Sequence, residues 1–223
     1  MRIKGIFASI LLLFACSTVQ GAAVTLDFEG VGDLAAVQSF YNGGTDSVGN
    51  SGADYGISFG IGAAALIDSD ASGTGQFANE PSASTILMMA EESMVINVAS
   101  GFNERFSFHY SSNARVSVEA FSGLDGSGDS VGLLSFGINY NDDQCGGDPT
   151  GLYCNWDFFS MSISGVARSI QFLGLSDELS PAGKVGLDNM IFGQNELSTV
   201  PLPASVFLFG SALLGVLGFR KLS

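Results

Sequence analysis

Three kinds of residue in this 223-residue chain could do chemistry. The first is a cysteine pair, Cys145 and Cys154, in the stretch Gln144-Cys145-Gly146-Gly147-Asp148-Pro149-Thr150-Gly151-Leu152-Tyr153-Cys154. In an exported chain that has lost Cys16 with its signal, these two read as a disulfide closing a Gly/Pro loop, worth about 2–3 kcal/mol in the chain-entropy picture. A metal site there would need more soft ligands than the loop offers. The second is an aromatic group, Trp156, Tyr153 and Tyr140, beside that loop. Exposed, it would form a platform for sugar rings; buried, it is ordinary core. The third is a large stock of carboxylates, which suits hard cations or a glycosidase acid pair, and equally a solvated surface.

Other chemistries have little to stand on. His109 is the one histidine and sits in the alternating stretch Arg105-Phe106-Ser107-Phe108-His109-Tyr110, where a structural role is expected. There is no Gly-x-Ser-x-Gly elbow and no His pair to hold zinc. Gly60-Ile61-Gly62-Ala63-Ala64-Ala65 mimics a dinucleotide fingerprint, but no strand–turn–helix unit surrounds it, so it reads as a strand and turn. Asp125-Gly126-Ser127-Gly128-Asp129 alternates carboxylates but lacks the rest of a calcium loop and reads as a hairpin turn.

The elements that must position these residues are short strands. Val24-Thr25-Leu26-Asp27-Phe28-Glu29 alternates with period two, and Ile57-Ser58-Phe59 follows a Gly-rich stretch. Further strands are expected at residues 93–98, 105–110, 115–121, 131–136, 158–163, 169–172 and 187–192. Gly, Asn, Asp and Ser fill the gaps, as turns require. About nine short strands with no long amphipathic helix predict an all-β fold, a β-sandwich with jelly roll as the subtype.

Charge separates the middle of the chain from its ends. All 22 acidic residues lie between Asp27 and Glu196, against Arg105, Arg115, Arg168 and Lys184, a balance of −18. Such a surface repels phosphate backbones and argues against nucleic acid. Met1-Arg2-Ile3-Lys4, the apolar run 6–15 and Gly21-Ala22-Ala23 form the three parts of a signal peptide, cut near Gly21 or Ala22. A lipoprotein signal at Leu13-Phe14-Ala15-Cys16 is the alternative, with Phe14 bulky where a small residue is usual. At the other end, Val200-Pro201-Leu202-Pro203 precedes the apolar run 204–219 and then Arg220-Lys221. The prolines give an extended stalk, and a 16-residue run gives about 24 Å of helix, marginal for a span without snorkelling by the basic pair. Basic residues after the run place that end in the cytoplasm.

This tail, VPLPASVFLFGSALLGVLGFRKLS, closely resembles the PEP-CTERM sorting signal in its VPLP variant: a Pro-containing motif, an apolar stretch and a basic end, in that order. Leu202 stands where the eponymous motif has Glu. The resemblance covers about the last 24 residues and implies recognition and cutting by an exosortase in a Gram-negative bacterium, many of which make exopolysaccharide. It divides the chain into a signal peptide (1–22), an ectodomain (23–194), a Pro-containing linker (195–203) and a transmembrane sorting tail (204–223).

The middle resembles a group of secreted PEP-CTERM proteins, through Leu26-Asp27-Phe28-Glu29-Gly30, Phe40-Tyr41-Asn42-Gly43-Gly44, Tyr55-Gly56-Ile57-Ser58-Phe59 and Gly186-Leu187-Asp188-Asn189. Those domains look like galactose-binding-type jelly rolls, which often carry a structural calcium joining first and last strands. By that resemblance Asp27, Glu29 and Asp188 are the expected calcium ligands. The expectation is a non-enzymatic cell-surface or matrix protein with a structural or adhesive, glycan-binding role; an extracellular polysaccharide hydrolase is the alternative.

Overall fold

The computed structural model describes residues 23–140, 151–175 and 184–193. The signal peptide, Cys145, the linker and the sorting tail lie outside these residues. Among the described residues there are nine strands: β1 (Val24–Leu26), β2 (Ile57–Phe59), β3 (Ala63–Ile67), β4 (Thr85–Met89), β5 (Ser93–Ser112), β6 (Val116–Phe121), β7 (Ser130–Phe136), β8 (Asp157–Gly174) and β9 (Val185–Phe192). Among the described residues a single 3-10 turn, Ser69–Ala71, interrupts them, and no helix is long and apolar enough to cross a membrane. Every strand pairing is antiparallel, in the order β3-β4-β9-β5-β8-β6-β7, with β1 added to β9 and β2 to β5. The expected all-β sandwich is therefore what the chain forms.

Two long strands build both layers. The first half of β5 (93–97) pairs with the end of β8 (169–173), beside β2 and β6; its second half (104–110) pairs with the start of β8 (157–163), beside β9. Between the halves the register slips at Asn97/Phe102 and again at Asn103/Glu104. Gly101, Glu104 and Gly165 take positive φ there, the conformation a bulge needs to bend a strand. Bent strands of this kind pass from one layer to the other and turn the corner of a sandwich. Sequence periodicity reads 93–98 and 105–110 as separate strands because alternation breaks at the bend.

The core fills the space between the layers. Phe106 and Phe108 of β5 lie 6.2 Å and 5.5 Å from Phe172 of β8, centroid to centroid. Phe159 stacks on Phe108 at 4.7 Å, Phe136 of β7 stands 5.8 Å from it, and Phe192 of β9 meets Phe106 at 5.0 Å. These rings are buried, each contributing about 1.5–3 kcal/mol by removal from water.

Two elements escape period-two reading. β4 is the unbroken run Thr85-Ile86-Leu87-Met88-Met89. β3 is the Ala-rich strand opened by the Gly60–Gly62 turn, as expected for a strand and turn in place of a nucleotide loop. Gly62 has φ +89 and a Cβ there would sit 2.3 Å from the Ser93 carbonyl oxygen, so glycine is required by both torsion and space. The Asp125–Asp129 stretch is a hairpin turn between β6 and β7: Ser122 and Gly123 donate to the carbonyls of Asp129 and Ser127.

Candidate functional site

β9 contains a bulge that decides which side chains face outward. Val185 and Leu187 point into the core, and so do Met190 and Phe192; the parity changes between them. The register shift lies opposite Ser107/His109, and Asn189 takes φ +48. Gly186 and Asp188 consequently lie on the outer face of the β3-β4-β9 layer, alongside Ile86 and Met88 of β4 and Leu66 of β3. A bulge that re-aims a side chain is a common device beside functional sites.

At one end of this outer face, three chain segments meet at residues 82–85. Asp188 is fully buried; its carboxylate accepts from the Ser82 N–H (2.7 Å), the Ser82 hydroxyl (2.9 Å) and the Asn189 N–H (2.6 Å). Glu29 accepts from the Ser84 and Thr85 N–H groups, each at 2.8 Å, and from both hydroxyls at 3.3 Å and 3.2 Å. Asp27 turns its exposed carboxylate back to the Glu29 N–H, and its main-chain carbonyl enters the cluster instead, 3.1 Å from Ser82 Oγ. The segment after the first strand, the approach to β4 and the last strand are thus joined through polar groups.

The fit of a cation can be tested on Ser82. Its Oγ lies within 3.3 Å of three acceptors: Asp188 Oδ1, the Asp27 carbonyl and the Thr85 carbonyl. One hydroxyl proton serves one of them, so oxygen lone pairs face one another. An oxygen-rich niche with a buried carboxylate suits a hard cation. Against this, both Glu29 oxygens are already engaged, and among the described residues no three His, Cys, Asp or Glu side chains are grouped to hold a metal ion. A bound cation would rest on Asp188 and main-chain carbonyls, not on three carboxylates. Burial first, and then the nearby Glu29 charge, push the Asp188 carboxyl up to about 6, with the Ser82 and Asn189 hydrogen bonds opposing.

The aromatic cluster stands over the same outer face. Residues 151–156 form a strap stitched to the segment after the 3-10 turn. Leu152 and Tyr153 donate to the Gln76 carbonyl, Ala78 donates to the Tyr153 carbonyl, and Cys154 donates to Tyr140. Trp156 is half-buried: its indole N–H donates to the Ala78 carbonyl at 3.0 Å, and its ring meets Phe77 edge-on at 6.4 Å. The ring lies so close to Gly186 that an added Cβ would come within 3.1 Å of it. Trp156 therefore fastens the strap, while Tyr153, 5.6 Å from Tyr140, fronts the open space.

That space is a pocket of about 160 Å³. Leu66, Ile86 and Met88 form an apolar floor, Tyr153 and Phe77 form aromatic walls, and Thr74, Gln76 and Lys184 bring polar groups to the rim. Burial, then Tyr140, raises the Tyr153 phenol, which stays protonated and able to donate. Of the aromatic residues named from sequence, Tyr153 lines this pocket and Tyr140 stands 5.6 Å from it, whereas Leu66, Gln76, Met88 and Lys184 carry no motif and were not named.

Elsewhere, His109 stands half-buried on β5 in register with Asp188 and 5.2 Å from the Phe158 ring; burial lowers its pKa. Cys154 is buried, and its expected partner Cys145 lies outside the described residues.

No protein-family model matches the chain, and no curated protein matches it. Solved structures similar to it include the K2 cleaved adhesin domain of Lys-gingipain, at 14% identity and TM-score 0.46 over 78% of this chain and 100% of that one. A second is the CsCBM6-3 module from Clostridium stercorarium in complex with cellobiose, at 15% identity and TM-score 0.35, covering 64% and 89%. A third is a glycoside hydrolase family 43 arabinoxylan arabinofuranohydrolase from Bacillus subtilis, at 16% identity and TM-score 0.36, covering 54% and 24%. At these levels the likeness assigns neither ligand nor chemistry.

Proposed function

We propose that this chain is an exported, non-enzymatic glycan-binding protein of the cell surface or extracellular matrix. The observation that carries the reading is the pocket beside Tyr153, with an apolar floor, aromatic walls and a polar rim. Sugar rings present apolar faces and hydroxyl edges, and a pocket with both surfaces suits them. Among the described residues that line the pocket none is an Asp or Glu, whereas glycoside hydrolysis ordinarily needs two carboxylates flanking the bond. Binding is thus favoured over cleavage at this site.

Location rests on the resemblance of residues 200–223 to a PEP-CTERM tail. On that reading the signal peptide directs export, the apolar stretch 204–219 holds an inner-membrane intermediate, and an exosortase-type enzyme cuts near Val200-Pro201-Leu202-Pro203 to release the protein to the surface or matrix. A structural calcium at Asp188 belongs to the same proposal.

The test is affinity electrophoresis of the full-length chain in mild detergent through gels containing single polysaccharides, with a reducing-sugar assay on the same panel. At least one polysaccharide should retard the protein without releasing sugar ends. Tyr153→Ala should weaken that retardation about tenfold or more while leaving the melting temperature nearly unchanged. Release of reducing ends would favour the hydrolase, and no retardation by any member would remove the glycan reading.

A further inference from the structure

The described residues of the pocket wall differ in charge from the chain as a whole. From Asp27 to Glu196 the chain carries 22 acidic residues and four basic ones. Among the described residues that line the pocket there is nevertheless one base, Lys184, and no acid. Lys184 is half-exposed, and among the described residues no carboxylate forms an ion pair with it. Its main chain is held by the N–H of Asn113, which donates to the Lys184 carbonyl at 3.1 Å, and the next residue begins β9. The backbone that carries this side chain is therefore anchored immediately before β9, with Thr74 and Gln76 as further polar residues of the pocket lining.

We propose that the pocket takes a carboxylate-bearing sugar ring, a uronic acid residue, with Lys184 as the counter-charge of its carboxylate. The inference rests on the glycan-binding reading and adds the chemical class of the ring. The floor of Leu66, Ile86 and Met88 offers an apolar surface to the ring face, and Tyr153 flanks it. Lysine acts here as a point charge on a flexible stem, adaptable to an axial or equatorial carboxylate. The surrounding acidic surface does not forbid this. At physiological ionic strength charges more than about 8 Å away are largely screened, so the nearest charge governs. A neutral ring would fill the same space without engaging the ammonium.

The single tryptophan is a built-in reporter, because Trp156 touches Gly186 and Phe77 in the pocket wall. The full-length chain in mild detergent is titrated, at about 0.15 M ionic strength, with matched polymers that differ only at the carboxyl group. These are glucuronan oligosaccharide against cello-oligosaccharide of the same length, polygalacturonate against its carboxyl-reduced form, and alginate against its carboxyl-reduced form. In at least one pair the acidic member should bind about tenfold tighter. Lys184→Gln should bring that pair to near-equal affinity, and Lys184→Arg should keep the preference; circular dichroism checks that each variant is folded. Equal affinity within every pair, or a preference that survives Lys184→Gln, overturns the inference while leaving glycan binding intact. Absence of binding to every polymer overturns both readings.

Discussion

Asp188 shows how one buried group couples the fold to solution conditions. Its folded pKa, about 6, lies above the ordinary value of 3.8, because burial disfavours the charge. Between those values the folded state holds more protons than the unfolded state. Without a bound cation, stability therefore falls as pH rises through about 4 to 6, by at most roughly 3 kcal/mol from this group. Asp46 acts with the opposite sign and at lower pH. Burial opposes its charge, but N–H groups of Gly32, Val48 and Asn50 and the Asn50 amide hold it in the anionic form and lower its pKa. Its contribution is lost only as pH falls below the normal carboxylate range. His109, lowered by burial, loses stability as pH falls through the histidine range and must be separated from Asp188. We predict that in EDTA the melting temperature declines from pH 4.5 to 7.5. Millimolar calcium should remove that decline and raise the pH 7.5 value beyond an ionic-strength-matched sodium chloride sample. Asp188→Asn should remove the EDTA decline, leaving the His109 rise, and abolish the calcium increment. Identical wild-type curves in EDTA and calcium at matched ionic strength would mean that no cation binds there.

Among the elements, the strap at residues 151–156 has the least secondary structure and the most work in forming the pocket. It is held by main-chain hydrogen bonds to residues 76–78 and Tyr140, and by the Trp156 anchor. A Cys145–Cys154 disulfide, proposed from sequence, would close the loop leading into this strap and limit its unfolded freedom. Intact protein alkylated under denaturing, non-reducing conditions should then carry no label at either cysteine. After reduction, the pocket should lose ligand affinity at temperatures where the sandwich is still folded, because the pairings among β4, β5, β8 and β9 include no residue of 151–156. Two alkylated thiols before reduction would refute the pairing.

For the whole molecule, anchorage and folding should be separable. The described sandwich has its own aromatic core, and β9 ends at Phe192, before the Pro-containing stretch. Deleting residues 200–223 should send the protein into the medium with an unchanged melting temperature and unchanged glycan retardation. Retention of the truncated protein at the cell surface would argue that something other than the tail holds it.

The sequence alone determined what is local or compositional: an all-β chain, most strand positions, the Asp125–Asp129 turn, and the reading of Gly60–Ala65 as turn and strand. Alternation and turn chemistry act over a few residues, so they survive without knowledge of the fold. The resemblance named Glu29 and Asp188 as residues of the first and last strands; that both accept hydrogen bonds from residues 82–85 is a matter of tertiary structure. The tertiary structure alone decided which short strands are halves of β5 and β8, because a bulge interrupts periodicity without ending the strand. It decided that Asp27 contributes a carbonyl, since the positive φ at Phe28 changes the chain direction beside it. It also decided that Trp156 anchors while Tyr153 fronts the pocket. Leu66, Gln76, Met88, Tyr153 and Lys184 are far apart in the chain and carry no shared motif. Only the antiparallel pairing of β3, β4 and β9, with the strap drawn across them, brings those side chains to one surface.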